Sequence, residues 1–522
     1  MLFNSSAYIF FFLPCAILGY FLLNRWRFIP AATAWLVFAS LFFYGCWKPG
    51  YLLILTGSII GNFALGTMLH QSRKKMHLSR HYRLSHRLIL PIGILSNLGL
   101  LGYYKYADFF LNNVNRAFGS SFPLPQLLLP LAISFFTFQQ IAYLLDCSRG
   151  NAKDYDFLSY CLFVSFFPQL IAGPIVHHQE MMPQFLRLRN RLFSYPNAAL
   201  GLFFFSLGLF KKVWIADQFS VWANIGFSAK STLSFFDAWG TALSYTFQLY
   251  FDFSGYTDMA IGSALFFNIV LPVNFNSPYQ ANSIQDFWRR WHITLSRWLR
   301  DYLYIPLGGN RQGAFRTYVN LFITFLLAGL WHGAGWTFVI WGALHGFALV
   351  LHRLWKNFGL RMPSLLGWFL TFLFVSTSWV IFRAASLREG WHIIQSMIGF
   401  HGISWSTGTI KLLAKIQPLQ ELLTSMSTTK LLLPTTTGWY LLFFSFVLFF
   451  LPNSCRIGGL LAEEKKEGQS PGRICILFQR TTRFFFRFQP TFYWAVLSAL
   501  LFSMALYRLL RVAPTEFLYF NF

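Results

Sequence analysis

TYVNLFITFLLAGLWHGAGWTFVIWGALHGFALVLH, residues 317–352, carries no Asp, Glu, Lys or Arg from end to end. At about 1.5 Å per residue, it is too long for one straight crossing of a hydrocarbon core about 30 Å thick. Gly329, Gly333 and Gly335 surround His332 near its centre, which predicts a chain break or close helix packing at that point. An ionisable side chain among such neighbours is costly unless it faces a cavity or a partner, and such residues are functional candidates by default. The structural alternative is a neutral imidazole satisfied by a neighbouring carbonyl. His345, thirteen residues on, would point away from His332 on a continuous helix and reads as packing.

The rest of the chain has the same character. Its 522 residues are 55% hydrophobic and 11% charged, against about 25% charged in soluble domains. Aromatics make up 20%, as suits lipid-facing helices and interfacial belts. Apolar runs fall near 7–23, 30–46, 50–69, 88–104, 125–145, 157–173, 196–215, 241–270, 317–352, 365–382, 437–452 and 491–510. At about 20 residues per span there is room for about ten or more spans. The first run lacks a basic leader and a clear cleavage site, so it reads as a retained helix. The 453–490 segment carries both signs of charge and reads as an extramembrane loop. The whole chain, 1–522, is expected to form one integral membrane domain, and no soluble domain is left over to do chemistry outside the bilayer. No internal repeat or inverted pair of broken helices of the transporter kind is visible.

Net charge is +25, from 42 basic and 17 acidic residues. The basic residues lie in short loops between apolar runs, the positive-inside pattern, rather than in a nucleic-acid-binding face. Arg25 and Arg27 follow the first run, Lys48 alone separates the second and third, and 71–87 holds six Lys/Arg with no acid. The expected topology puts the N-terminus outside and the 71–87 loop in the cytoplasm. The six cysteines form no CxxC pair, and Cys15, Cys46 and Cys161 lie in apolar runs, so neither a disulfide framework nor a zinc site is expected.

Three further stretches carry polar groups in suggestive patterns. In NSIQDFWRRWHITLSRWLRDYLYIPLGG, residues 282–309, Ser283 and Asp286 form a capping-box start, and Pro306, Gly308 and Gly309 end the pattern. A single helix between them would bring Arg289, His292, Ser296 and Arg300 within roughly 60° of one another. Trp288, Trp291, Leu295, Trp298 and Tyr302 would fill another sector. One reading is an interfacial helix whose arginines meet lipid phosphates. The other turns the cationic stripe inward to grip the phosphates of a thioester cofactor. Pattern alone does not choose.

In TALSYTFQLYFDFSGYTDMAIG, residues 241–262, Tyr245, Gln248, Asp252 and Tyr256 share one helical face. A buried Asp252 needs a partner, and the arginines near 289–300 are the expected ones. It serves either as an interhelical ion pair that fixes packing or as a catalytic acid. In FPQLIAGPIVHHQEMMPQF, residues 167–185, the adjacent His177 and His178 point to different sides of a helix, so a membrane-surface turn is expected rather than a metal pair.

Together these segments resemble the membrane-bound O-acyltransferase family, in its bacterial alginate O-acetylase branch, and through it the D-alanyl transferase of teichoic acid synthesis. The resemblance is carried by DFSGYTDMAIG (252–262), NFNSPYQANSIQDFWRRWHITLSRWLRDYLYIPLGGNR (274–311) and LAGLWHGAGWTFVIWGALHG (327–346). AGPIV (172–176) and the opening MLFNSSAYIFFFLP (1–14) agree with it, and it is sharpest from about 125 to 350. His177 and His178 depart from it, standing where an arginine-containing stretch is expected.

The resemblance implies an all-α polytopic fold, a ring of roughly 10–13 transmembrane, broken and tilted helices around a central tunnel. It places the family's characteristic histidine at His332 and the second histidine of the bacterial branch at His292. The implied donor is acetyl-CoA or another acyl thioester from the cytoplasm, with no bound cofactor or metal. The implied acceptor is a hydroxyl of a polysaccharide such as alginate, or a periplasmic acyl-transferring partner, at a bacterial inner membrane. Histidine titrates near neutrality and is the usual base for such transfer, so His332 is expected to activate the hydroxyl. His292 and Trp331 would position substrate or stabilise the oxyanion, with Arg289, Ser296, Arg300, Asp252, Tyr256 and Gln248 as donor or tunnel residues. Rival readings are D-alanyl transfer to teichoic acid, peptidoglycan O-acetylation, a flippase for a lipid-linked sugar, and a non-catalytic export scaffold.

Overall fold

The computed structural model describes residues 1–75, 79–152, 156–403, 405–406, 428–429, 432–461 and 487–521. In chain order its helices are α1 Leu13–Arg25, α2 Ile29–Gly45, α3 Tyr51–Lys75, α4 Arg80–Leu101, α5 Ala107–Phe118, α6 Ile133–Arg149 and α7 Phe157–Ser165. There follow α8 Phe167–Leu170, α9 His178–Leu186, α10 Tyr195–Phe210, α11 Asp217–Phe227, α12 Phe235–Leu265, α13 Ile284–Arg290 and α14 Ile293–Leu299. Then come α15 Gly313–His332, α16 Trp336–Asn357, α17 Ser364–Arg383, α18 Leu387–Ile398, α19 Thr435–Phe450, α20 Ser454–Ile457 and α21 Phe492–Arg511. Extended pairing among the described residues amounts to one two-residue bridge, Trp405–Ser406 with Thr428–Thr429.

Among the described residues, eight helical stretches are long and apolar enough to cross a membrane, including Tyr51–Lys75, Gly313–His332, Trp336–Asn357 and Ser364–Arg383. The chain is an all-α polytopic membrane protein. The apolar run at 125–145 becomes helical only from Ile133, because Pro123, Pro125 and Pro130 precede it and each removes a backbone donor. Of the expected 453–490 loop, residues 462–486 lie outside the described residues.

The chain divides into two compact units, Met1–Phe210 with Gly255–Val273 and Gln489–Phe522, and Lys211–Ser254 with Asn274–Phe488. In the first unit, Asn62 and Asn97 exchange side-chain hydrogen bonds of 3.2 and 2.6 Å between α3 and α4. Such amide pairs satisfy polar groups where lipid offers none. The 171–176 segment, expected at the surface, is buried, and His178 lies 3.1 Å from Asp146 of α6. That pairing replaces the expected surface turn with a buried histidine–carboxylate contact, since neither group can be stranded in an apolar interior.

In the second unit, α15 and α16 form a hairpin that realises both features expected around His332. The chain leaves the helix at His332, passes through Gly333 and Gly335 in extended conformation and re-enters at Trp336. The two helices then touch through glycines. A Cβ added to Gly329 would strike the Phe338 carbonyl oxygen and Gly342, and one on Gly342 would strike the Phe325 carbonyl oxygen. Without side chains the backbones approach closely, the usual device for helix packing in lipid. Gly342→Leu is therefore expected to lower stability by at least about 1–3 kcal/mol, the scale of overpacking, read as the unfolding midpoint of detergent-solubilised protein.

Candidate active site

The 282–309 stretch is not one helix. Ser283 caps α13 by accepting from the Asp286 N–H at 3.2 Å, as its capping box predicts. The helix then stops after Arg290, α14 begins at Ile293, and a π-turn follows at Arg300–Tyr304. The interruption falls on His292, which adopts left-handed φ of 43°. A non-glycine residue held there signals a surrounding structure that over-determines it. The clasp is the 274–277 loop. Ile293 N–H donates to the Asn274 carbonyl at 3.0 Å, Thr294 Oγ1 donates to Asn274 Oδ1 at 2.6 Å, and Asn276 N–H donates to the Arg290 carbonyl at 2.9 Å.

This break dissolves the expected cationic stripe. Arg289 and Arg300 are exposed, and Arg300 pairs with its neighbour Asp301 at 2.7 Å. Ser296 is half-buried, with Oγ 3.5 Å from the Trp291 carbonyl. The buried cation is Arg290, which donates to Asp286 at 2.9 Å and to the Asn276 carbonyl at 3.2 Å.

His292 is turned inward, 1% exposed. Its ring meets Phe253 edge-on at 4.9 Å and lies 6.4 Å from the Trp331 ring. It belongs to none of the spanning helices, and burial pushes its pKa down to about 3, so it is a neutral imidazole at physiological pH. Trp331 also contacts His332 at 4.9 Å, so one indole touches both histidines. His332, 6% exposed, is boxed further by Trp341 at 5.2 Å and Phe382 at 5.4 Å. The Trp341 indole N–H is buried and has no acceptor among the described residues.

His345 has the packing role expected of it, although α15 and α16 are separate helices and the phase argument does not apply. Trp288 Nε1 donates to His345 Nδ1 at 3.2 Å, His345 Nε2 lies 3.0 Å from Ser378 Oγ, and Ser378 donates to the Val375 carbonyl at 2.8 Å. These roles place the single imidazole proton on Nε2. Both ring nitrogens are occupied, and neither is left to take a substrate proton.

On α12, Asp252 finds its counter-charge in Lys212, not in the arginines of 289–300. Lys212 Nζ lies 2.7 Å from Asp252 and 2.9 Å from Asp217. Lys212 sits on a π-turn, Lys211–Ala216, a form frequent at functional sites. The sequence signal was the lysine pair interrupting the apolar run at 196–215. Gln248, a turn from Asp252, is buried, and its Oε1 has no hydrogen-bond partner among the described residues. Tyr256 belongs to the first unit, stacked on Phe3 at 4.8 Å and Phe517 at 4.5 Å, which accounts for its burial.

A model of the membrane-bound O-acyltransferase family matches residues 127–387, which hold both histidines and the aromatic box. A peptidoglycan O-acetyltransferase of Helicobacter pylori is 51% identical over 434 residues, covering 77% of this chain and 81% of the relative. A probable alginate O-acetylase of Pseudomonas aeruginosa is 41% identical, covering 77% and 75% of the two chains. A teichoic acid D-alanyltransferase of Streptococcus thermophilus is 28% identical over 50% of this chain and 69% of its own. The chain belongs to the membrane-bound O-acyltransferase family. It is an O-acyltransferase of the alginate O-acetylase or peptidoglycan O-acetyltransferase type.

Removing Lys212 would leave two acidic groups without their shared cation. Lys212→Met is expected to cost about 3–5 kcal/mol, as for a broken buried pair. Adding Asp252→Leu should restore part of that loss, measured by unfolding midpoints of the two variants in detergent. A double variant no more stable than the single one would remove the Lys212–Asp252 contact from the interactions that hold this unit.

Proposed function

We propose that the protein transfers an acetyl group from acetyl-CoA, presented on the cytoplasmic side of a bacterial inner membrane, to a hydroxyl. That hydroxyl belongs to a cell-surface or secreted polysaccharide, or to a periplasmic partner protein that completes the transfer. The observation that carries this reading is the pair of buried imidazoles, His292 and His332, joined through Trp331 in an aromatic box. The names of the peptidoglycan and alginate relatives support acetyl as the group and a glycan as the final acceptor.

In the direct-transfer mechanism the acceptor oxygen attacks the thioester carbonyl while His332 takes the hydroxyl proton. The tetrahedral intermediate collapses with cleavage of the C–S bond, and the proton passes from His332 to the departing thiolate. A buried base and a water-poor box suit this chemistry, since stray water would hydrolyse the donor. The open indole N–H of Trp341 supports a role as donor to the oxyanion. His292, held neutral, positions the acyl group together with Trp331 and Ser296. The exposed Arg289 and Arg300 meet the donor's phosphates at the surface, and Asp252 with Lys212 holds α12 in register.

Thiol release from acetyl-CoA by purified protein in nanodiscs, with polysaccharide or partner protein added, tests this reading. His332→Ala is expected to lower the rate at least about 10²-fold with folding intact, the scale of lost general-base catalysis. A His332→Ala protein that remains active would make that residue a packing group. A well-folded wild type that releases no thiol from acetyl-CoA would point to a carrier-bound donor, as in D-alanyl transfer. Trp341→Phe should lower kcat by about 10²-fold or less, the range below full loss of an oxyanion donor, with KM for acetyl-CoA unchanged.

A further inference from the structure

The helical stretch Leu84–Phe118 runs for 35 residues, against about 20 for one crossing. At about 1.5 Å per residue the 22 residues of α4 already match a hydrocarbon core about 30 Å thick. The surplus is α5, and two features part it from α4. One is the π-turn Gly102–Tyr106, a form that kinks helices. The other is Tyr106 itself, whose φ of −113° and ψ of −9° depart from helical values. The same point carries Tyr103, Tyr104 and Tyr106, the residue type that collects where hydrocarbon meets water.

By the positive-inside rule the basic 71–87 loop places the start of α4 in the cytoplasm, so α5 begins at the opposite face. The chain that follows α5 is hung at that level. Gly119, with φ of 63°, ends the helix, and the chain then folds back along its polar side. Phe122 N–H donates to Asn115 Oδ1 at 2.9 Å, and Gln126 N–H donates to Asp108 Oδ1 at 3.1 Å. Further on, the Tyr51 hydroxyl at the start of α3 donates to the Leu128 carbonyl at 2.8 Å. The Tyr44 hydroxyl at the end of α2 donates to the Leu131 carbonyl at 2.9 Å. Those two helix ends flank the short 46–50 loop, which the charge pattern also puts outside.

The return segment thus takes the polar side of α5, where Asp108, Asn112, Asn115 and Arg116 lie. Phe110, Leu111, Val114 and Phe118 fall within about 100° of arc on the other side. Every residue of α5 is exposed or half-buried, with Phe110 66% and Phe118 81% exposed. Phe122 and Leu128 of the return segment are exposed as well. Such a patch in water marks an interaction site or an aggregation hazard, but at the level fixed by the tyrosines an apolar phase lies beside it. We propose that α5 and its return segment form an in-plane anchor, whose partner is the acyl region of the extracytoplasmic leaflet. The helix lies along the bilayer surface, with the Phe110–Phe118 stripe sunk about 5–10 Å into the boundary between headgroups and acyl chains. Asp108, Asn115 and Arg116 stay on the headgroup side. The assignment does not depend on the acyl-transfer reading.

Its test is spin-label accessibility in the full-length protein, held one copy to a nanodisc. The six native cysteines are replaced by alanine, and one cysteine is introduced at a time. Phe110→Cys and Phe118→Cys carry the label on the apolar face; Asn112→Cys and Arg116→Cys carry it on the polar one. Relaxation by oxygen, which concentrates in lipid, is compared with relaxation by a water-soluble nickel chelate. Oxygen is expected to dominate at the first pair and nickel at the second. Nickel dominating at the first pair would leave that face in water. Oxygen dominating at all four would make α5 part of a crossing, and shielding of the first pair from both relaxants would put protein over it. Each of these results overturns the anchor. Thermal unfolding establishes that each labelled variant is folded. Phe118→p-benzoylphenylalanine, made in the chain with its cysteines intact, is expected to crosslink to phospholipid under light. Crosslinks to a second copy of the chain or to another protein, in place of lipid, would equally overturn it.

Discussion

Backbone that leaves the helical ladder inside a lipid-facing protein must find its hydrogen bonds in the protein, because hydrocarbon supplies none. Both histidines stand where the ladder is interrupted. At His292 the Asn274–Ser277 loop meets the freed groups of α13 and α14 with main-chain and side-chain bonds. At Gly333–Gly335 the interruption is short, and the helices on either side hold each other through glycine contacts. Aromatic rings wrap these two points, and the charged groups lie outside that wrapping. The arrangement of the two histidines follows from where the chain is allowed to break.

The same constraint governs the ionised residues. Lys212 serves two aspartates, and Arg290 is held between a carboxylate and a backbone carbonyl. Each arrangement spreads charge over several partners in a medium where an isolated ion would be prohibitive. The unit therefore separates its polar groups into two kinds. Some are saturated and hold helices in place; others, such as the Trp341 indole beside His332, have no hydrogen-bond partner among the described residues.

Much of this was legible in the residues. Class and helical content follow from composition and run length, and the hairpin at His332 follows from three glycines around one histidine. The cap at Ser283 was local and therefore readable. The break at His292 was not, because nothing in FWRRWHITL signals a left-handed residue; it is imposed by Asn274, well upstream in the chain. The assumption of one continuous helix grouped Arg289 and Arg300 with His292 on a single stripe and passed over Arg290, the buried one. The partner of Asp252 was missed for a related reason. Lys211 and Lys212 were absorbed into an apolar run, although two cations in such a run were themselves the signal. The helical face shared by Tyr245 and Gln248 was readable, but that the Tyr245 hydroxyl and Gln248 Oε1 find no partner among the described residues is visible only in three dimensions.

The chain of hydrogen bonds from Trp288 through His345 and Ser378 to Val375 has a direction: every donor points the same way. A Grotthuss wire requires each member to hand on one proton while receiving another. Here the first link is an indole that has no proton to replace the one it would give, and the last is a carbonyl with nowhere to pass one. His345 is thus an insulator. The chain therefore fixes the ring of His345 and ties α13, α16 and α17 together, and it hands no proton from one to the next.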